Sequence, residues 1–471
     1  MTTSTLLKDR PVRSFASHTP KWQRFQNKVS LSGGSNNKNV KASEKEVVPY
    51  QRQYSHVYSF RLAALKDGCW QKLHNVSSKS KPVNRILELK EDEPSSVVGT
   101  IIVESLNGNS EDNYYGDDED AGEDRQLHPD AFCRSCDQLF LEDESGRVAL
   151  KFAKDKPLFA YQYCTGVVVG VQGTVDARGI MHVQNVVTPA LGPITSPTIP
   201  ANADTAPHLL LVSSLNCGDP GVSSLPRELL VSYLQGHFGE ASKKVARIVV
   251  AGSGPGSVDP AMGLKEFDLF GIEVTRTAGL PLDILPSAQD PTTRNWPQRP
   301  LHSSLLPHTL RASKEADNNT PMTRLTPNPY QALVGNQMVL GTDGLNVRDL
   351  QKYVLKPPTD DQDSPLKLNE LEALEQTFKW AHICPTAPNS PEIGLVPSGD
   401  PMTMTKQAPN LYFCGNSEAF ATKLVSHETE NAQTRLVCVP KFSETGEAVL
   451  VNLHTLGVEV LRFSKPQGKS D

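Results

Sequence analysis

From Tyr50 the chain sets Tyr54, Val57, Tyr58, Arg61, Leu62 and Leu65 at spacings of three and four, which predicts an amphipathic helix. Runs rich in β-branched residues follow. Ile86 to Leu89, Ser96 to Glu104, Gln138 to Glu142, Arg147 to Phe152, Gly166 to Val175 and Ile180 to Val187 are expected as strands, with Asp176-Ala-Arg-Gly179 as a hairpin turn. The five of these from Ser96 to Val187, separated by Gly- and Asp-rich turns, with glycines where a small barrel bends, point to an OB-type β-barrel.

Beyond a connector containing Pro189, Pro193, Pro197, Pro200 and Pro207 the pattern changes. Continuous apolar runs now end in Gly, Ser or Asn: His208 to Ser213, Arg247 to Gly252, Leu282 to Leu285, Val339 to Gly341, Leu411 to Gly415, Arg435 to Val439 and Ala448 to Leu453. Such runs are what strands covered on both faces look like, and helices fit between them at Pro226 to Phe238, Val347 to Tyr353 and Leu368 to Ala381. The last places Leu371, Leu374, Phe378 and Ala381 on one face. The expected class is α+β and α/β multidomain. Residues 1–45 form a disordered basic tail, 46–190 a helix plus OB-fold with an acidic insertion at 105–131, 191–207 a proline-rich linker, 208–465 an α/β sandwich, and 466–471 a short tail.

Composition narrows the function classes. The chain has 471 residues and a formal charge of −6, so no global basic field holds nucleic acid. Residues 1–45 carry nine Lys or Arg against Asp9 and Glu44, while eight of the fourteen residues from Glu111 to Asp124 are acidic; both stretches lack an apolar period. The eight cysteines are scattered, several inside apolar runs, as in a protein of a reducing compartment. No stretch approaches a membrane span and no secretory h-region opens the chain, so an intracellular, soluble protein is expected.

In α/β sheets chemistry sits at the carboxyl ends of the strands. Two-metal phosphoesterases of the calcineurin-like type place Asp-x-His, Gly-Asp-x-x-Asp, Gly-Asn-His-Asp and Gly-His-x-His there, a cage that generates hydroxide and clamps an in-line transition state. The corresponding strand ends here read Ser213-Ser-Leu215, Gly252-Ser253-Gly-Pro-Gly256, Pro286-Ser-Ala288-Gln289-Asp290 and Gly415-Asn416-Ser-Glu418. Ser213, Leu215, Ser253, Gly256, Ala288, Gln289, Asn416 and Glu418 thus mark degenerate positions. Only Glu418 keeps a carboxylate at a ligand position, which leaves two divalent cations uncompensated. No catalytic residue, metal or cofactor is expected.

The ordered segments Leu282-Asp-Ile-Leu-Pro286, Asp290-Pro-Thr-Thr293, Trp296 to His302, Asn328-Pro-Tyr330, Gly341 to Val347, His382 to Pro388 and Tyr412 to Asn416 together resemble the B-subunits of replicative DNA polymerases, the delta branch most closely. The likeness runs from about residue 54 to about residue 464. It implies an OB-fold packed on a calcineurin-like phosphoesterase domain that has lost catalysis, whereas the related archaeal subunit keeps its metal ligands and nuclease activity. It further implies a nuclear accessory subunit that binds the carboxy-terminal cysteine-rich module of the delta catalytic subunit, bridges it to a further accessory subunit, and meets DNA through the holoenzyme. Three departures stand out: the acidic insertion after Glu104, a region from Ser253 to Leu280 that looks compressed, and Ser287 where the family commonly has Gly. The alternatives are an active metal-dependent phosphodiesterase or nuclease, and the B-subunit of polymerase alpha or epsilon. Interface residues are not legible in a single sequence.

Other signals have bland readings. Cys133-Arg-Ser-Cys136 lacks a second ligand pair for zinc. Gly252 to Gly256 lacks the Gly-Lys-Ser/Thr ending of a phosphate loop and reads as a tight strand-to-helix connection. His302 and His382 read as capping or buried residues, and a barrel with few aromatics reads as protein-binding.

Overall fold

A computed structural model describes residues 54–76, 80–105, 126–152, 159–194, 206–238, 240–316, 321–334, 336–358, 364–394, 399–427 and 432–463. The basic tail, most of the acidic insertion and the carboxy-terminal tail lie outside them.

The predicted first helix is α1, Ser55–Val76; it buries Val57, Arg61, Leu62, Leu65, Cys69 and Leu73. Beneath it, β1 (Ser95–Ser105), β2 (Asp137–Glu142), β3 (Arg147–Phe152), β4 (Val168–Val175) and β5 (Ile180–Val187) pair in the order β1-β2-β3-β5-β4 and close through β4 back onto β1. The β3–β5 pairing is parallel and the others antiparallel. This is the partly Greek-key five-stranded barrel of an OB-fold. The Asp176 turn is as expected: its carboxylate accepts from the amides of Arg178 and Ile180, and Gly179 takes a φ of 78°. Ile86 to Leu89 is a correction. The segment is a 3₁₀ turn, Ile86–Glu88, because its amides are satisfied by side chains: Ile86 donates to Asp143 and Leu87 to Ser145.

Two further sheets stack face to face. The first runs β9 (Thr323–Leu325), β8 (Leu282–Leu285), β7 (Val245–Ala251), β6 (His208–Val212), β15 (Glu447–Asn452), β16 (Val458–Arg462), with the first four parallel. The second runs β10 (Tyr330–Val334), β11 (Gln337–Thr342), β12 (Leu411–Ser417), β14 (Gln433–Pro440), β13 (Ala421–Ser426), with a parallel centre and antiparallel edges. Leu209, Leu211, Val249, Tyr330, Phe413 and Val437 fill the space between the sheets. Helices cover both outer faces: α2 (Leu225–Leu234), α3 (Pro260–Ile272) and α4 (Pro307–Ala316) on the first sheet, α5 (Leu345–Leu350) and α6 (Glu370–Lys379) on the second. Every strand predicted after the connector is present. Ala381 is not on the α6 face as expected; it lies past the helix end at a φ of 51°.

The region from Ser253 to Leu280 holds α3, capped by the Asp259 side chain on the Met262 amide and opened by Pro260. Gly271, which lowers the helical signal in sequence, is where α4 crosses: a Cβ there would lie 2.2 Å from Thr309 Oγ1.

The connector does not behave wholly as a spacer. Gly192 donates to the Met404 carbonyl, and Pro193 accepts from Ala408, so its first part lies on the sandwich. Barrel and sandwich also share a continuous apolar core, in which Leu65, Val168 and Met181 cluster with Trp380, Ile383 and Tyr412.

Candidate functional site

The carboxyl ends of β6, β7, β8, β11 and β12 converge. Gly252, after β7, takes a φ of 86°, and a Cβ on it would lie 2.9 Å from the Ser287 Cβ, 3.0 Å from the Asn416 Nδ2 and 3.0 Å from the Asp343 Cβ. Only glycine lets these strand ends meet so closely. Ser214, Ser253 and Asn416 also sit at positive φ, between 50° and 53°. Ser287 does not, so its backbone carries no left-handed strain.

The junction is occupied by its own hydrogen bonds. Ser214 Oγ donates to Asn416 Oδ1 at 2.6 Å, the Asn416 amide donates to Ser213 Oγ at 2.9 Å, and Asn416 Nδ2 donates to the Asp343 carbonyl at 3.0 Å. Ser213 Oγ in turn donates to the Pro440 carbonyl at 3.0 Å. The amides of Phe442 and Ser443, beyond β14, donate to the carbonyls of Ser213 and Ser214, each at 2.9 Å. Across the floor Ser253 Oγ and Ser287 Oγ share a bond of 3.0 Å.

Two carboxyl groups lie in this polar floor. Asp290 accepts from the amides of Ser253 and Ser287 at 3.0 and 2.6 Å, an arrangement that ties the loop after β7 to the loop after β8. Burial nevertheless pushes its pKa up to about 6. Burial likewise raises Asp343, against the opposing pull of Arg348; Asn328 Nδ2 donates to Asp343 Oδ1 at 2.8 Å. Arg348, one turn into α5, reaches the Asn416 carbonyl at 3.2 Å.

Of the positions expected from the sequence to be degenerate, Ser213, Ser253 and Asn416 are brought together here. Leu215 instead points into the core beneath the first sheet, and Gly256 is pressed against Cys217 and Asp219 at the start of α3. Ala288 is half-buried, Gln289 and Glu418 are exposed, and the Glu418 amide donates to Glu370. Glu418 is therefore held at the rim rather than in the floor. Among the described residues no three His, Cys, Asp or Glu side chains form a metal-holding group. Asn328 and Asp343 fall within the sequence motifs, but the sequence alone assigns them no role; the available signal is a polar pair immediately flanking two buried strands.

The remaining signals resolve locally. Cys133 Sγ donates to the Tyr353 carbonyl, and burial pushes its thiol up to about 12. Gly252 to Gly256 links β7 to α3. His302 caps a 3₁₀ turn through Ser304, and buried His382 pairs with Asp400. Among the described residues no helix is long and apolar enough to cross a membrane.

Comparison with known proteins agrees with this architecture. A family model described as the DNA polymerase delta subunit OB-fold domain matches residues 53–186, and a model of the DNA polymerase alpha/epsilon B-subunit matches residues 264–422. The DNA polymerase delta small subunit of Oryza sativa subsp. japonica is 31% identical over 440 residues, covering 88% of this chain and 93% of that protein. That of Arabidopsis thaliana is 31% identical over 436 residues, covering 88% and 91%. That of Saccharomyces cerevisiae is 29% identical over 453 residues, covering 88% and 90%. Matched along nearly the whole length of these relatives, the chain belongs to the DNA polymerase delta small-subunit family.

Proposed function

We propose that this chain is a non-catalytic accessory subunit of DNA polymerase delta, working in nuclear DNA replication and repair synthesis as an assembly scaffold. It binds the carboxy-terminal cysteine-rich module of the catalytic subunit and connects it to a further accessory subunit. Its domains are an OB-fold over residues 46–190 and an inactive calcineurin-like phosphoesterase sandwich over 208–465.

The observation that carries the reading is the strand-end junction. Ser213, Ser253 and Asn416 stand where a two-metal enzyme of this type needs ionised or imidazole ligands, and their polar atoms are engaged with one another and with neighbouring strand ends. Serine hydroxyls and an amide compensate no cation charge, and a hydroxide-generating centre requires that compensation. What the junction does instead is fasten six segments of the sandwich into one rigid end, a property suited to presenting fixed surfaces to partners.

The test is hydrolysis of a generic phosphodiester by the purified full chain with manganese. The expected result is no turnover above that of a Ser213→Ala, Asn416→Ala control. Chelator-sensitive turnover that co-elutes with the chain and is lost in the control would overturn the inactive assignment in favour of a metal-dependent phosphodiesterase.

A further inference from the structure

At the seam between barrel and sandwich, on the side where β1 ends, lies a cleft of about 300 Å³. Its walls carry Phe132, Tyr353 and Tyr163 together with Asp137, Thr386 and Asn389. Phe132 is 64% exposed, although its ring packs 5.4 Å from that of Tyr353. A large apolar ring left on the rim of a polar-walled cleft marks a contact surface rather than a core residue. Asp137 accepts from the Arg134 amide at 2.8 Å and from Ser105 Oγ, which fixes its carboxylate while leaving lone pairs on both oxygens.

Charge adds direction. Among the described residues that line the cleft Asp137 is the only charged one, so a ligand there finds a carboxylate beside the exposed Phe132 ring and neutral hydrogen-bonding groups. Guanidinium suits that combination: it stacks on Phe or Tyr and forks onto a carboxylate, whereas an ammonium is a compact, strongly hydrated charge.

We propose that this cleft is a docking site for an arginine-bearing basic segment of a partner protein, with the guanidinium seated between the Phe132–Tyr353 pair and Asp137. Because barrel and sandwich each contribute a wall, the bound segment also staples them together. The assignment stands on the cleft itself and is independent of whether the strand-end junction is catalytic.

The experiment titrates the purified full chain with a labelled, capped peptide of alternating glycine and arginine, and with its glycine–lysine and glycine–glutamate counterparts, reading fluorescence anisotropy. The expected result is that the arginine peptide binds best, and that Phe132→Ser and Asp137→Asn each weaken it roughly three- to fivefold. Both variants should keep the wild-type melting temperature, since Phe132 is exposed and an Asn side-chain oxygen still accepts from the Arg134 amide. Equal binding of arginine and lysine peptides, affinity unchanged in both variants, or no binding of the arginine peptide would each overturn the proposal.

Discussion

Arg61 and Asp400, 339 positions apart in the chain, form a buried ion pair at 2.8 Å that joins α1 to the sandwich. Three further guanidinium N–H groups donate to the carbonyls of Gly166 in the barrel, at 3.0 Å, and of Pro385 and Ala387 in the sandwich, at 2.8 and 2.6 Å. One side chain thereby ties helix, barrel and sandwich together, and only a planar fork of donors fits so many acceptors at once. Arg61→Met should cost about 3–5 kcal/mol, because Asp400 is left as an uncompensated buried charge. Arg61→Lys should recover only part of the loss. Chemical denaturation checks both, and a loss below about 1 kcal/mol for Arg61→Met would show that the clamp is not required.

His382 meets the same carboxylate, its Nε2 lying 2.8 Å from Asp400. Burial, reinforced by the Arg61 charge, lowers its pKa to about 4, so it is neutral at pH 7. Asp400 is pushed up by burial but held below the usual carboxylate range by His382 and Arg61. With the folded His382 below its unfolded value, the unfolded chain binds the extra proton, and stability falls as pH drops from about 6.5 toward 4. Compared with His382→Gln, which does not titrate, the wild type should lose about 2 kcal/mol between pH 7.5 and pH 5. A pH-independent difference between the two proteins would contradict this.

Asp290 works in the opposite direction. Its folded pKa, about 6, lies above the unfolded one, so the folded chain binds the proton more tightly and gains stability relative to a non-titrating variant as pH falls through 6. Asp290→Asn, always neutral, should therefore compare best with the wild type at pH 8. The comparison should shift by roughly 1–1.5 kcal/mol toward the wild type by pH 5. Melting curves of both proteins across this range decide it, and a shift of the reverse sign would show that the carboxylate is stabilised, as in a cation site.

Inside the sandwich Asp283 on β8 accepts from Arg247 at 2.6 Å and from the Tyr330 hydroxyl of the facing sheet at 2.8 Å. Tyr330→Phe should cost about 1.5–3 kcal/mol, the range for a hydrogen bond to a charged group. Asp283→Ala should cost more, about 3–5 kcal/mol, because it strands Arg247. Equal losses for the two substitutions, measured by chemical denaturation, would place the Arg247 charge outside the buried network.

Much of the fold is legible because buried strands announce themselves. His208 to Val212 and Arg247 to Ala251 are largely unbroken apolar runs, and all five barrel strands follow from β-branched residues between Gly and Asp turns. What the sequence hides lies at the edges. β9 has three residues, and β13 and β16 mix polar and apolar positions because one side of each pairing is free of a neighbouring strand among the described residues. α3 and α4 are hidden by Gly271 and by short amphipathic content, although Asp259-Pro260 is a usable start signal. At the site, the small polar residues that end the strands are plain in the sequence. The way Ser213, Ser214 and Asn416 satisfy each other is not, since it depends on positive φ values and on strands more than two hundred residues apart.

The central claim, that this chain assembles a polymerase rather than performing chemistry, is tested most directly by affinity purification of the tagged full chain from its native cells with quantitative mass spectrometry. The account predicts recovery of the DNA polymerase delta catalytic subunit in near-equal amount, together with a further accessory subunit. Recovery of primase or of the epsilon catalytic chain instead, or of the tagged chain alone, would contradict it.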